Sequence, residues 1–249
     1  MIEIVDILGR AESGVSTRPF RCLGEDDQLY YVKLGNARPD GLIGEWVGGH
    51  LANLMGLPVA DFSLVHVDEE FSKHLNDDYH ELGSGIGFGS AAAKVGYRDL
   101  LYLDISRLEP DLLAEVLIFD LWIQNEDRKL GLAGGNPNAL FVPHREGTPL
   151  LLIDHDSAFD ETFNTGAFLN DHFARDAAAL WRDKARKRAW TAKAKKALSK
   201  LPEIWATLPD SWAHNTLGER HDALDMNEIE ATLEQPMKYP NTFWKGVGL

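Results

Sequence analysis

Phe119-Asp120-Leu121-Trp122-Ile123-Gln124-Asn125-Glu126-Asp127-Arg128 is the stretch whose reading decides the fold. It closes a strongly apolar segment, residues 111–124, that reads as a buried helix and runs directly into a polar tetrad. An aspartate held at the end of such a helix can orient an attacking hydroxyl or accept its proton. Taken alone, Asn and Asp are also ordinary residues for a helix terminus entering a loop. Further polar residues on either side each punctuate an apolar run. Lys33 lies in the strand-like Leu29-Tyr30-Tyr31-Val32-Lys33-Leu34, and Glu45 lies in a helical pattern over residues 42–55 that Gly56 and Pro58 end. Asn136-Pro137-Asn138 precedes a short strand-like run, and Asp154 follows Leu150-Leu151-Leu152-Ile153.

Each member has chemistry that fits the others. A lysine within a strand needs solvent or an anion for its ammonium; phosphates supply the anion, and a helix glutamate such as Glu45 can hold the side chain. Arg128 can brace its loop or neutralise phosphate. Magnesium favours hard oxygen ligands, so the amides Asn136 and Asn138 and the carboxylate Asp154 at strand–loop junctions suit a metal site. Lysine, acid, loop aspartate, asparagine and strand-end aspartate come in the order in which protein-kinase-like enzymes gather ATP and Mg²⁺. Between the first two strands, residues 9–17 are placed where a phosphate-covering loop belongs. Ser13, Gly14 and Ser16 are its candidates for contact with phosphate, and Ser13, Ser16 and Thr17 for self-phosphorylation. The glycine-rich residues 83–89 miss the G-x-G-x-x-G spacing and read as a loop joining two lobes.

The chain resembles the HipA-like kinases, a branch of the protein-kinase-like fold. The motifs that carry the resemblance are Tyr31-Val32-Lys33, Gly44-Glu45, Met55-Gly56-Leu57-Pro58-Val59, Gly87-Phe88-Gly89-Ser90, the Phe119–Arg128 stretch, Asn136-Pro137-Asn138, Ile153-Asp154-His155 and Leu208-Pro209-Asp210-Ser211-Trp212. The resemblance implies that Lys33 binds ATP phosphates, Asp127 is catalytic, and Asn136 or Asn138 joins Asp154 on Mg²⁺. Two departures stand out. Gly131-Leu132-Ala133-Gly134-Gly135 lengthens the aspartate-to-asparagine interval from about five residues, and Lys129 stands where the family often has histidine.

Strands dominate the first third and helices the rest, which implies an α+β protein. The expected architecture is a single two-lobed, protein-kinase-like domain, with a β-rich N-lobe over about residues 1–85 and a helical C-lobe over 86–249. Turns are expected near Pro202, Pro209 and Pro236. The composition, 44% hydrophobic and 26% charged, is that of a globular protein. A net charge of -14 argues against a general nucleic-acid or anionic-membrane binder. The basic run from Arg182 to Lys200 alternates with Ala and Leu as a solvated helix face does. The single Cys22, the acidic strand-like start Met1–Asp6 and the lack of a bilayer-length apolar run lead to the expectation of a cytoplasmic protein. The function expected is transfer of the γ-phosphoryl group of ATP to a Ser/Thr hydroxyl of a protein. The alternatives are a nucleotide-binding pseudokinase that acts with a regulatory partner protein of toxin–antitoxin type, or a lipid-type kinase.

Overall fold

Inward-facing Ile4 and Ile7, followed by alternating burial along residues 20–24 and 29–32, roll the start of the chain into a barrel. A computed structural model describes residues 1–11, 18–94, 96–213 and 226–246. β1 (Ile2–Arg10), β2 (Phe20–Gly24) and β3 (Leu29–Lys33) form an antiparallel meander. α1 (Pro39–Leu54), β4 (Phe62–Val67), the short α2 (Glu69–Lys73) and β5 (Gly85–Ala91) follow. The strand order β1-β2-β3-β5-β4 closes on itself because β4 pairs parallel with β1. Two register shifts in β1, between Ile4 and Asp6 and between Ile7 and Gly9, supply the extra twist that closure requires. The interior is apolar and includes Ile4, Phe20, Tyr30, Val32 and Val65. Cys22 also lies there, and burial pushes its thiol up to about 12.

β5 corrects the reading of residues 83–89 as a lobe-joining loop. It pairs antiparallel with both β3 and β4, so the strand-rich part runs on to Ala91 and the expected division at 85/86 falls at the start of a strand. The glycines hid it. A side chain at Gly89 would overlap Val65, and a Cβ at Gly87 would stand 2.6 Å from the Lys33 carbonyl oxygen. The face that must be bare to pack therefore shows no apolar period.

β6 (Arg98–Asp99), α3 (Pro110–Trp122), β7 (Ala139–Phe141) and β8 (Leu150–Leu152) come next, the three strands forming a small antiparallel sheet in the order β6-β7-β8. The remainder is helical: α4 (Thr165–Asp171), α5 (Lys184–Leu198), α6 (Leu201–Trp205), α7 (Asp210–Ala213), α8 (Met226–Lys238) and α9 (Pro240–Gly246). α3 starts on Pro110, whose missing N–H costs nothing in the first turn, and is buried on nearly every side. Its Trp122 joins Trp181, Trp190 and Trp244 in the main core, which reaches from α1 through α3 to α9. α5 is the basic run: Asp183 caps it, Trp190, Ala194 and Ala197 face inward, and most of its basic residues face water. The break expected near Pro236 comes at Tyr239, between α8 and α9, and Pro236 itself lies within α8. Packing of Ile229, Leu233 and Pro236 itself against the core outweighs the hydrogen bond that the proline cannot make.

The late segment reaches back to the first helix. Trp212 in α7 donates its indole N–H to the Ile86 carbonyl in β5 at 2.8 Å. Trp46 in α1 donates to the Thr207 hydroxyl at 3.1 Å, and the two indoles meet edge to face at 6.4 Å. Among the described residues no helix is long and apolar enough to cross a membrane.

Candidate active site

β3 turns Tyr30 and Val32 into the barrel, so by the two-residue period Lys33 projects from the opposite face, toward α1 and the loop after β8. Its Nζ lies 2.8 Å from Glu45 Oε1, 2.8 Å from Asp154 Oδ1 and 2.8 Å from Asp156 Oδ2. The lysine is 4% exposed. Burial alone would weaken its hold on the proton, but Asp154, Glu45 and Asp156 together keep the ammonium well above its ordinary value. Burial pushes Glu45 up to about 7 despite Lys33, and raises Asp156 as well, with the Asp154 charge adding to it. Asp154, only partly buried, is held far below the usual carboxylate range by Lys33.

α1 lies close enough to the loop after β8 to build this cluster because its near side is glycine. A Cβ at Gly44 would stand 2.8 Å from the His155 carbonyl oxygen, and one at Gly48 would stand 2.9 Å from His155 Cβ. Those glycines weaken an isolated helix by about 1 kcal/mol each, and the close approach is what they provide. Glu45 can then accept the His155 backbone N–H at 2.8 Å on the oxygen that Lys33 leaves free. The His155 ring is buried and stays neutral; burial and Arg128 push it down to about 3.

The tetrad after α3 is anchored from below. Asp120 and Arg128 are both wholly buried, with Arg128 Nε 3.0 Å from Asp120 Oδ2. Asn125 Nδ2 donates to Asp120 Oδ1 at 3.2 Å, and His172 Nε2 lies 3.0 Å from Oδ2. Since His172 Nδ1 accepts the Ala174 N–H at 3.0 Å, the ring carries its proton on Nε2 and donates to Asp120. The remaining donors of Arg128 go to the carbonyls of Asn138, Ile153 (2.8 Å) and Asp154 (3.3 Å). Arg128 thus bolts the loop after α3 to the loop after β8.

Asp127 stands above this anchor, partly exposed. Asn138 Nδ2 donates to its carbonyl at 2.9 Å and to its Oδ2 at 3.0 Å, while Asn136 Nδ2 reaches the same Oδ2 at 3.5 Å. Both partners of Asn138 are acceptors, which orients its amide and leaves Oδ1 facing elsewhere. Burial raises Asp127 above the ordinary aspartate value, and the Asp154 charge adds to the shift. Asn138 (φ 43°) and Asp154 (φ 60°) are both left-handed, a conformation that Asn and Asp tolerate best and that recurs at working sites.

The glycine-rich insertion leaves this geometry intact. Gly131 and Gly134 exchange backbone hydrogen bonds of 3.1 and 3.0 Å, and the Lys129 N–H closes on the Asn136 carbonyl at 2.8 Å. The extra residues form a small hairpin that loops out and returns the chain to Asp127. Gly135, at φ 149°, lies so close that a side chain there would overlap the Lys129 carbonyl.

A family model described as HipA-like kinase matches residues 4–247. The chain belongs to the HipA-like kinase family. No curated protein sequence matches it. Among solved structures it is similar to the Helicobacter pylori proinflammatory kinase CtkA, at 14% identity and a TM-score of 0.44, over 99% of this chain and 91% of that one. It is also similar to the Golgi casein kinase, at 12% identity and a TM-score of 0.44, over 99% of this chain and 73% of the other.

In this HipA-like kinase Lys33, Glu45 and Asp154 come together, and Asp127, Asn136 and Asn138 form a second group beside them. Ser13, Gly14 and Ser16, with Thr17, lie outside the described residues. Of the two roles open to Arg128, bracing is the one its geometry serves, since its donors are spent inside the protein. Sequence reasoning passed over Asp156, Asp120 and His172. Asp156 had a visible signal in Asp154-His155-Asp156, an acid two residues beyond a candidate ligand, and Asp120 had one as an acid inside an apolar run with Asn125 and Arg128 close behind it; His172 had none, because Asp120 lies 52 residues away. Oxygens of Glu45, Asp154 and Asp156 all lie within 4.8 Å of one another, against the single charge of Lys33. Such a cluster of hard, net-negative donors suits a divalent cation.

Proposed function

We propose that this HipA-like kinase binds ATP and Mg²⁺ between the barrel, acting as N-lobe, and the helical part, acting as C-lobe, and transfers the γ-phosphoryl group to a Ser/Thr hydroxyl of a protein. One observation carries the reading: a buried lysine from the barrel meets carboxylates from α1 and from the loop after β8, within electrostatic reach of Asp127. Lys33 would hold phosphate oxygens. Asp154 and the free Oδ1 of Asn138 would hold the metal, with Asn136 its neighbour. When bound, the cation neutralises charge on the transferring group.

Asp127 would orient the hydroxyl. As that oxygen bonds to the γ-phosphorus, the bond to the ADP oxygen breaks and the hydroxyl proton passes to the Asp127 carboxylate, whose raised pKa suits it to accept. Asn138 keeps that carboxylate turned toward the substrate. The same contact favours an active enzyme over a pseudokinase, because the lengthened loop still delivers an asparagine to the aspartate. The test is incubation with labelled ATP and Mg²⁺, with and without cell lysate. Asp127→Asn is expected to lower transfer by roughly 10²–10⁴-fold while ATP still raises the melting temperature. Equal labelling by wild type and Asp127→Asn would refute the catalytic assignment.

A further inference from the structure

Lys33 Nζ donates to Asp154 Oδ1 and to Asp156 Oδ2, each at 2.8 Å, and pairs by charge with Glu45 Oε1 at the same distance. Carboxylates crowd the ammonium on these sides. A phosphate oxygen can reach Nζ there only if a carboxylate withdraws, and the three are not equally free to do so. Glu45 is fixed through both oxygens, by Lys33 and by the His155 N–H at 2.8 Å, and its side chain is 3% exposed. Asp154 also accepts the Asp156 N–H at 3.3 Å, and its carbonyl is held by Arg128. Asp156 has only the Ser157 hydroxyl at 3.3 Å on its second oxygen, and its side chain is the most open of the three at 19%.

We propose that Asp156 occupies, in the nucleotide-free enzyme, the seat on Lys33 that a phosphate oxygen of the nucleotide takes. The inference rests on the reading of Lys33 as a phosphate-binding residue. A carboxylate oxygen and a phosphate oxygen are both anionic acceptors of similar reach, so one stands in for the other without rebuilding the site. The carboxylate has somewhere to go. Asp156 packs against the first turn of α1, where a Cβ on Gly41 would lie 3.3 Å from its own, and the exposed Arg38 just before that turn feels its charge. Asp156 is a positioning residue: it keeps Lys33 extended and neutralised while the site is empty, and it competes with the nucleotide for the lysine.

The test is ATP binding by calorimetry, in EDTA and again in Mg²⁺, for wild type, Asp156→Asn, Asp156→Ala, Lys33→Ala and the Lys33→Ala/Asp156→Asn double variant. Thermal melts establish that each is folded. In EDTA both Asp156 variants should bind ATP roughly 10- to 100-fold more tightly, the worth of one charge-assisted hydrogen bond no longer displaced. That gain should vanish in the Lys33→Ala background. A gain that persists without Lys33 would mean general charge repulsion and would overturn the proposal. Unchanged or weaker binding by Asp156→Asn, or a loss seen only in Mg²⁺, would overturn it too. If Lys33→Ala binds ATP as wild type does, or no protein binds ATP, the phosphate role of Lys33 falls and this inference with it. If Lys33→Ala weakens binding and the Asp156 variants gain nothing, this inference alone falls.

Discussion

Arg128→Met is the most informative single change, because it separates a brace from a phosphate ligand. Methionine roughly matches the stem of arginine but removes every donor. Asp120, with no exposed side-chain surface, would keep His172 and Asn125 but lose its cationic partner, and the Ile153 and Asp154 carbonyls would lose their side-chain donor. Breaking one side of a buried pair costs about 3–5 kcal/mol, out of a total stability of about 5–15 kcal/mol. For a chain of 249 residues, a loss of about 4 kcal/mol at about 2–4 °C per kcal/mol lowers the melting temperature by roughly 8–16 °C. Urea unfolding of Arg128→Met, Asp120→Leu and the double variant measures it. The double variant should be more stable than the sum of the single losses by at least about 2 kcal/mol, since it buries no unpaired charge. A loss below about 1 kcal/mol, accompanied by collapse of ATP binding, would refute the brace and return the guanidinium to the phosphate.

Asn138→Ala should cut transfer by about 10²–10³-fold, as loss of one precisely aimed polar group does, with Asn136→Ala affecting it far less; Mg²⁺ titrations of both rates decide, and equal effects would leave the metal asparagine unassigned to Asn138. Gly135→Ala should cost about 1–3 kcal/mol because of its left-handed backbone and its contact with Lys129, whereas Gly131→Ala, with open space around it, should change stability by less than about 0.5 kcal/mol; matching urea midpoints would mean that the hairpin is not closed as described. Burial lowers His172 below its ordinary value, so its contribution is complete above about pH 6.5 and is lost as pH falls below that. The destabilisation caused by His172→Gln should therefore shrink between pH 7.5 and 5.5, by up to about 1.4 kcal/mol per pH unit; the difference between the two proteins is the quantity to measure, because Glu45, pushed up to about 7, titrates in the same window with the opposite sign.

Lys33, Glu45 and Asp154 were legible because each interrupts or ends an apolar run, and a polar residue at the edge of a core is visible in one dimension. β5 was not, because its close-packed face is written in glycine and shows no hydrophobic period. The insertion after Asp127 looked like a disturbance because sequence measures separation along the chain, and the hydrogen bonds that fold those residues away are visible only in space. Arg128 could not be assigned from its neighbours. Three of its four partners lie ten or more residues away, so its burial is a property of the fold rather than of the tetrad. Asp156 escaped notice for a simpler reason: the reading stopped at the strand end, two residues short.

The tryptophan contacts between α1 and the late segment bear on the order in which the chain is made. Glu45 is translated early, but the Thr207 hydroxyl and the Trp212 indole that steady its helix and the neighbouring strand emerge some 160 residues after it. Chains fold from their N-terminus as they leave the ribosome. The barrel can therefore form and carry Lys33 well before α1 has the support that holds Glu45 against it. Half-made chains would have the lysine without its settled carboxylate partner. The Lys33–Glu45 pair therefore leans on contacts supplied from late in the chain.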